Sequence, residues 1–403
     1  MTRRSAVTFI LITMVIDAMG IGLIIPVMPD LFQEVGAGDL GAAALWGGIL
    51  TTIFAVMQFV FGPIIGGLSD RFGRRPVLLL SLIIMTLDYL LMAVAGSIWL
   101  LLVGRIIGGI ASATQSTANA YMADISAPDD RAANFGLIGA AFGMGFVLGP
   151  LVGGFLAELG TRAPFYVAAA LAGANVIFGY IVLKETLPAQ HRRPFAWRRA
   201  NPLGSLRQLS ALPGLAPLLL VFFLYQVAFT VYPAIWAFFG KERFGWDPAT
   251  IGLSLALFGI MLAIVQGGLI RPVMRLLGER GTVIYGHLFD TMAFLALAFV
   301  ANGTLALILT PLAALAAVIT PALQGIMSKA VGPDAQGELQ GALTALSALA
   351  MILSPLVMTG TFAAFTGEDT PVYLPGAPFL VSAALILVGL AVFLRRQAET
   401  SLS

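Results

Sequence analysis

Gly66-Gly67-Leu68-Ser69-Asp70-Arg71-Phe72-Gly73-Arg74-Arg75-Pro76 separates two long apolar runs, 43–67 before it and 76–96 after it. A helix needs about 20 apolar residues to cross the hydrocarbon core of a bilayer, so both flanks read as membrane spans. The glycines permit a tight turn and close helix approach. Asp70 can cap a helix N-terminus or hold an arginine through both carboxylate oxygens. Arginines packed between apolar runs keep a loop on the cytoplasmic side. The stretch is therefore a basic turn between two membrane helices, and its charges are suited to locking one face shut. A purely topological role would use the arginines alone and would not require the glycines.

The rest of the chain has the same character. Its 403 residues are 59% hydrophobic and only 10% charged, with a mean hydropathy of +0.95, whereas soluble domains are nearer 45–50% apolar and 25% charged. Twelve spans emerge, at 6–28, 43–67, 76–96, 98–122, 133–157, 163–183, 214–239, 248–270, 282–301, 304–328, 337–364 and 375–394. Arg3 and Arg4 before the first span resemble the start of a signal peptide. The apolar run nevertheless continues past Asp17 to Met28 without a small-residue cleavage site, so an uncleaved first helix is expected. With the N-terminus in the cytoplasm, eighteen of the 22 Lys and Arg residues lie on that side, three face outward and Arg105 lies within a span. The positive-inside rule then places both termini in the cytoplasm and the protein in the cytoplasmic (inner) membrane. A net charge of +2 offers no surface for nucleic acid. The absence of cysteine excludes disulfides and thiolate metal sites, and His191 and His287 alone cannot build a zinc site.

An internal repeat organises these spans. Shifting the sequence by 205 positions lays Gly73 on Gly278, Pro128-Asp129 on Pro333-Asp334, Gly136 on Gly341 and Pro150-Leu151-Val152 on Pro355-Leu356-Val357. A period of half the chain that carries an even number of spans keeps both halves in one orientation. The expected fold is all-α, twelve transmembrane helices in two six-helix bundles related by a pseudo-twofold axis along the membrane normal, the geometry of a major facilitator transporter. The expected domains are 1–183, a linker 184–213 rich in proline and positive charge, and 214–403. A short soluble helix around Phe195 to Leu209 and a simple cytoplasmic anchor both suit the linker.

Function must reside in the few polar residues inside the spans. Asp17, Asp88 and Asp290 each lie roughly 12–18 Å from the cytoplasmic end of their helix, near the middle of the membrane. Charges there are costly, so such residues usually face a cavity and serve ions or protons; a carboxyl that can alternate between neutral and charged forms is a proton carrier. Inert acids satisfied by neighbouring helices are the alternative. Arg105, in Gly104-Arg105-Ile106-Ile107-Gly108-Gly109, can pair with one of these carboxylates or snorkel to the outer surface. Further along, Ser112, Gln115 and Asn119 form one polar stripe that suits either a cavity wall or a helix contact. Gln226 and Gln324 are candidate cavity residues from their intramembrane polarity alone. In span 5, Gly145, Gly149 and Gly153 recur every fourth residue beside Pro150 and Gly154, baring backbone for close packing. No strand precedes Gly143-Met144-Gly145, and no G-x-x-x-x-G-K-[ST] sequence occurs, so neither a nucleotide site nor ATP as fuel is expected.

Taken together, the loop at Gly66, Asp70, Arg71, Gly73, Arg74 and Arg75, the span 5 glycines, Asp17 to Pro29, Asp88-Tyr89, Gly104-Arg105, Tyr121 to Ile125, Phe289-Asp290 and Leu339-Gln340-Gly341 resemble the tetracycline:proton antiporter family of the major facilitator superfamily. The resemblance extends over nearly the whole chain and is strongest in the first half. It implies that Asp17, Asp88, Asp290 and Arg105 couple protons, that Asp70 and Asp124 belong to the cytoplasmic gate, that the span 5 glycines form the antiporter motif, and that Gln58 borders the cavity. Leu262 stands where tetracycline exporters carry a histidine, and Thr366 to Pro378 lacks their tryptophan-rich start to span 12, which leaves the drug open. The expectation is a non-enzymatic, cofactor-free, monomeric antiporter that exchanges protons for a small amphipathic drug in the lipid bilayer. A uniporter or symporter for a sugar or metabolite is the competing reading, and the span 5 glycines argue against it.

Overall fold

In the computed structural model, residues 3–112, 114–127, 130–195, 214–332, 335–367 and 370–402 are described. Pro128-Asp129, Pro333-Asp334 and nearly all of the Phe195 to Leu209 segment lie outside them. The ordered elements among the described residues are all helical, with no strand, as a bilayer requires of chains that must satisfy their own backbone. The helices are α1 (Arg3–Ile24), α2 (Met28–Glu34), α3 (Leu40–Phe72), α4 (Arg74–Val94), α5 (Ile98–Ala111), α6 (Thr114–Ile125), α7 (Arg131–Leu156), α8 (Ala163–Val182), α9 (Ala216–Phe229), α10 (Val231–Phe244), α11 (Pro248–Ile264), α12 (Ile270–Phe299), α13 (Gly303–Ala313), α14 (Ile319–Ala330), α15 (Gln336–Thr366) and α16 (Ala377–Leu402).

Among the described residues, eleven continuous stretches are long and apolar enough to span a membrane, one of them the 52-residue Pro248–Phe299. At 1.5 Å per residue that stretch is about 78 Å long, more than twice the hydrocarbon thickness. It contains a π-helical turn at Val265–Leu269 and breaks at Gly278, where φ is 66° and ψ 172°. Two spans therefore share it, and the total is twelve.

The chain forms two compact units. The first comprises Met1–Ala37, Ile53–Pro202 and Pro248–Ala256; the second comprises Gly38–Thr52, Leu203–Asp247 and Leu257–Ser403. In the first, α1 packs most extensively on α7, and α4 on α8; in the second, α9 packs on α15 and α16, and α12 on α16. These are equivalent pairings under the 205-residue shift.

The repeat continues into local detail. Gly73 (φ 107°) and Gly278 (φ 66°) both combine a positive φ with an extended ψ, a conformation essentially reserved for glycine, and each turns the chain into the helical segment that follows. Ser97 accepts from the Leu100 amide and Asn302, at the same offset, from the Leu305 amide, each capping its helix. Arg74 pairs with Asp124 in the first unit; 205 positions on, Glu279 pairs with Lys329 in the second, with the charges exchanged. The core of the second unit is aromatic. Tyr232 meets the rings of Phe229, Trp236, Phe258, Phe294 and Phe379 at centroid distances of 4.9–6.3 Å.

Candidate functional site

In the first unit, α1, α4 and α5 bring three charged groups around one tyrosine. Asp88 on α4 is 3% exposed, and its Oδ2 accepts from Nη2 of Arg105 at 3.4 Å. The carboxylate fits because α5 offers glycine there: a Cβ on Gly104 would lie 2.8 Å from Asp88 Oδ1, and one on Gly108 2.6 Å from Oδ2. The Arg105 guanidinium also lies 5.3 Å from the centre of the Phe54 ring and donates to Met92 Sδ. A cation held by one carboxylate, one ring face and one thioether is only partly satisfied; its Nε and Asp88 Oδ1 have no hydrogen-bond partner. Arg105 thus takes the pairing alternative, not the snorkelling one.

Asp17 on α1 is half-buried and makes no hydrogen bond or ion pair among the described residues. It nevertheless belongs to the same cluster, since Asp17, Asp88 and Arg105 all act electrostatically on Tyr89. The Tyr89 hydroxyl lies against Gly20, one turn along α1 from Asp17. The site is therefore two carboxylates and one cation around a buried phenol, with only one of the carboxylates paired.

The turn after α3 is held by a denser network. Arg74 reaches Asp70 Oδ1 at 2.6 Å, Ser69 Oγ at 2.9 Å and Asp124 Oδ2 at 3.3 Å, and Thr186 donates to the same Asp124 oxygen at 3.1 Å. Asp70 remains 43% exposed. Arg75 donates to the Tyr180 carbonyl at 2.9 Å and lies over that residue's ring. Arg71 lies over the ring of Phe72. Sequence reasoning missed the anchor of this network, Glu185, whose carboxylate accepts from the amides of Arg74 (2.9 Å), Arg75 (3.2 Å), Thr186 (3.0 Å) and Leu187 (2.9 Å). It caps the start of α4 from a residue more than a hundred positions away, which no local pattern could show. A Cβ on Gly67 would stand 3.1 Å from the Phe195 ring, whereas one on Gly66 would have nothing within 4 Å.

The α7 glycines contact backbone. Positions for Cβ atoms on Gly145, Gly149 and Gly153 meet Val15, Met19, Gly22 and Leu23 of α1, while Pro150 lies against Gly22. Gly154 meets Pro248 and Ala249, and Gly252 meets Pro150, all inside the first unit. Gly145, Gly149 and Gly153 thus seat α7 on the helix that carries Asp17.

Asp290 belongs to the second unit. It is 2% exposed on α12, and its Oδ2 has no partner; it acts electrostatically on Tyr225 and Tyr232. Among the glutamines, Gln226 donates to Ser347 at 3.2 Å and Gln324 is half-buried. In the first unit Gln58 is exposed and Asn119 half-buried, while the Gln115 side chain lies outside the described residues. Ser112 is buried and bonded to Gly109 of its own helix at 2.7 Å, so it adds nothing to a cavity wall. Leu262 packs into an apolar cluster with Val265, Ala317 and Val318. A groove of about 490 Å³ on α3, α4 and α5, lined by Phe72, Leu80 and Ile84 among others, contains none of the expected site residues.

A model of the Major Facilitator Superfamily matches residues 10–355. The chain belongs to that superfamily. This facilitator chain is 42% identical to the tetracycline resistance protein, class C, of Escherichia coli over 99% of its own length and 98% of the relative's. It is 40% identical to the class G protein of Vibrio anguillarum over 99% of both. Among solved structures, the human organic anion transporter MFSD10 superposes with a TM-score of 0.69 at 27% identity, covering 98% of this chain and all of the other. The nucleoside transporter NupG superposes with a TM-score of 0.77 over 98% of each chain, but at 13% identity it shares the fold alone.

Proposed function

We propose that this facilitator exports tetracycline-like drugs from the cytoplasm in exchange for protons by alternating access. The observation that carries the reading is the cluster of the first unit: a buried Asp88–Arg105 pair beside an unpaired Asp17, in a chain so similar to tetracycline resistance proteins over its whole length. A proton arriving on Asp88 cancels the charge that holds Arg105, and a proton on Asp17 removes the remaining negative charge. Each event changes what α1, α4 and α5 present to one another, and that difference in contacts is what lets a proton bias a conformational equilibrium. Asp290 supplies a separate titratable group in the second unit. The network of Asp70, Arg74 and Asp124 is the cytoplasmic gate, with Arg71, Arg75, Gly66 and Gly73 completing its turn. Gln58, Gln115, Asn119, Gln226 and Gln324 provide polar contacts for the drug. The protein works as a monomer in the inner membrane with both termini in the cytoplasm, an orientation supported by the eighteen inward Lys and Arg residues.

Everted vesicles under an imposed pH gradient test this. Wild-type vesicles accumulate tetracycline, while Asp17→Asn and Asp88→Asn, correctly inserted, lose the response to the gradient. Full gradient-driven accumulation by Asp17→Asn would remove that residue from coupling, and no accumulation by wild type would remove tetracycline as substrate.

A further inference from the structure

His287 lies one turn before Asp290 on α12 and is completely buried. Its Nδ1 contacts the Val283 carbonyl at 2.8 Å. A carbonyl can only accept, so Nδ1 carries the hydrogen and, in the neutral ring, Nε2 is left with a bare lone pair. Among the described residues nothing hydrogen-bonds to that nitrogen. It faces Gly389 of α16, whose Cβ position is 3.5 Å away, with Val221 of α9 alongside. As a core-filling residue, an imidazole with an unused acceptor is a poor choice, since methionine would fill the space without an orphaned polar atom. The orphan is not isolated. Asp290 Oδ2 and Tyr232 Oη are likewise buried without partners, in a protein interior where such atoms are rare.

We propose that His287 is a proton-handling partner of Asp290, the two sharing one proton within the second unit. The proton on the Asp290 carboxyl passes to His287 Nε2, leaving carboxylate and imidazolium, and returns by the reverse step. Net charge is zero in both forms, so neither places an uncompensated charge in the membrane. His287 Nε2 and Asp290 Oδ2 are not hydrogen-bonded to each other; residues three apart on a helix have Cβ atoms about 5–6 Å apart, so side-chain rotation closes the gap for the transfer. The remaining groups facing the pair are neutral: Tyr225 from α9, which hydrogen-bonds Thr320 of α14, and Tyr232 from α10. On α12 itself, the Tyr285 ring lies tilted against that of Phe289, 5.7 Å between centroids. The neighbouring charges are remote from the pair: Lys329 at the end of α14 is bound to Glu279, and Arg395 and Arg396 lie more than a turn beyond Gly389 on α16.

The inference deepens the proton-driven reading and rests on it, but its test does not depend on finding the drug. The chain has two histidines, so a His191→Gln background labelled with ¹⁵N in the imidazole reports His287 alone. In purified protein, the His287 nitrogen shifts are expected to titrate between about pH 5 and 9, and Asp290→Asn is expected to move that titration. In everted vesicles, His287→Gln, whose amide can still donate to Val283, is expected to slow gradient-driven export about tenfold and flatten its pH profile. Drug binding should stay within about twofold of wild type. A ring that stays neutral throughout and ignores Asp290→Asn overturns the proposal, as does a His287→Gln profile superimposable on wild type. Should His287→Gln fail to insert, His287→Met takes its place with the same expected loss. Wild-type vesicles that do not export would count against the transport reading, while the resonance would still decide the pairing.

Discussion

Replacing Gly149 with alanine drives a methyl group into the backbone of α1. The new Cβ would stand 2.6 Å from the Met19 carbonyl oxygen and 2.8 Å from Gly22 Cα, where ordinary contact begins at 3.4 Å. Neither obstacle is a side chain that can swing away. Bringing 2.6 Å out to 3.4 Å requires α7 to retreat from α1 by about 0.8 Å, and overpacking of this kind costs about 1–3 kcal/mol. The same shift disturbs the seat of Asp17, two residues before Met19, and a displacement near 1 Å can cost about a hundredfold in a positioned site. Gly143→Ala is the matched control: it lies in the same helix with nothing within 4 Å of its Cβ position, and alanine is the better helix former by about 1 kcal/mol. Thermal unfolding in detergent and gradient-driven export in vesicles measure the two effects. Gly149→Ala should melt several degrees lower and export at least about tenfold more slowly, with Gly143→Ala at or above wild type in both. Equal behaviour of the two variants would refute the backbone contact as the reason for these glycines.

Gly73→Ala should destabilise the turn by about 1–3 kcal/mol, because φ there is 107° and a Cβ would also collide with the Glu185 carboxylate; an unchanged melting temperature would contradict this. Glu185→Ala should cost about 1 kcal/mol as a lost helix cap and speed hydrogen exchange at the Arg74 and Arg75 amides, with Glu185→Gln intermediate; unchanged exchange would show the cap to be dispensable. Outside the spans, the Tyr373 phenol is pushed up to about 12, first by burial and then by its hydrogen bond to Glu242. Since the folded value lies above the unfolded one, its small contribution to stability is complete below the ordinary tyrosine value and disappears as pH rises through about 12. Spectrophotometric titration should show a component ionising near pH 12 that is absent in Tyr373→Phe.

The spans, the basic turn and the half-chain repeat were legible in the residues because hydropathy, charge asymmetry and glycine spacing are properties of short stretches. Span 8 and span 9 were separated in the sequence by the charged stretch around Gly278, and in the structure that residue carries the break inside one long helix. The fourfold spacing at Gly145, Gly149 and Gly153 showed that a partner would approach there, but not that the partner was the Asp17-bearing α1. Glu185 escaped notice because a cap supplied from a distant loop leaves no pattern near α4. That two histidines cannot bind zinc is a question of composition, and it says nothing about a lone buried imidazole one turn from a buried acid on the same helix.

Taken alone, the residue order established that the polypeptide crosses a bilayer twelve times, repeats itself halfway and carries three acids at membrane depth. Those conclusions need only the cost of moving each segment out of water, a cost each segment incurs by itself. Which acid has a counter-charge was decided by the fold: Asp88 meets Arg105 because Gly104 and Gly108 leave room for its carboxylate, Asp17 is paired with no cation among the described residues, and Asp290 lies near Tyr225 and Tyr232. Partnership is a matter of distance across helices that are far apart in the chain, and in a medium that screens charge poorly a few ångströms determine whether a carboxylate is held or free to take up a proton.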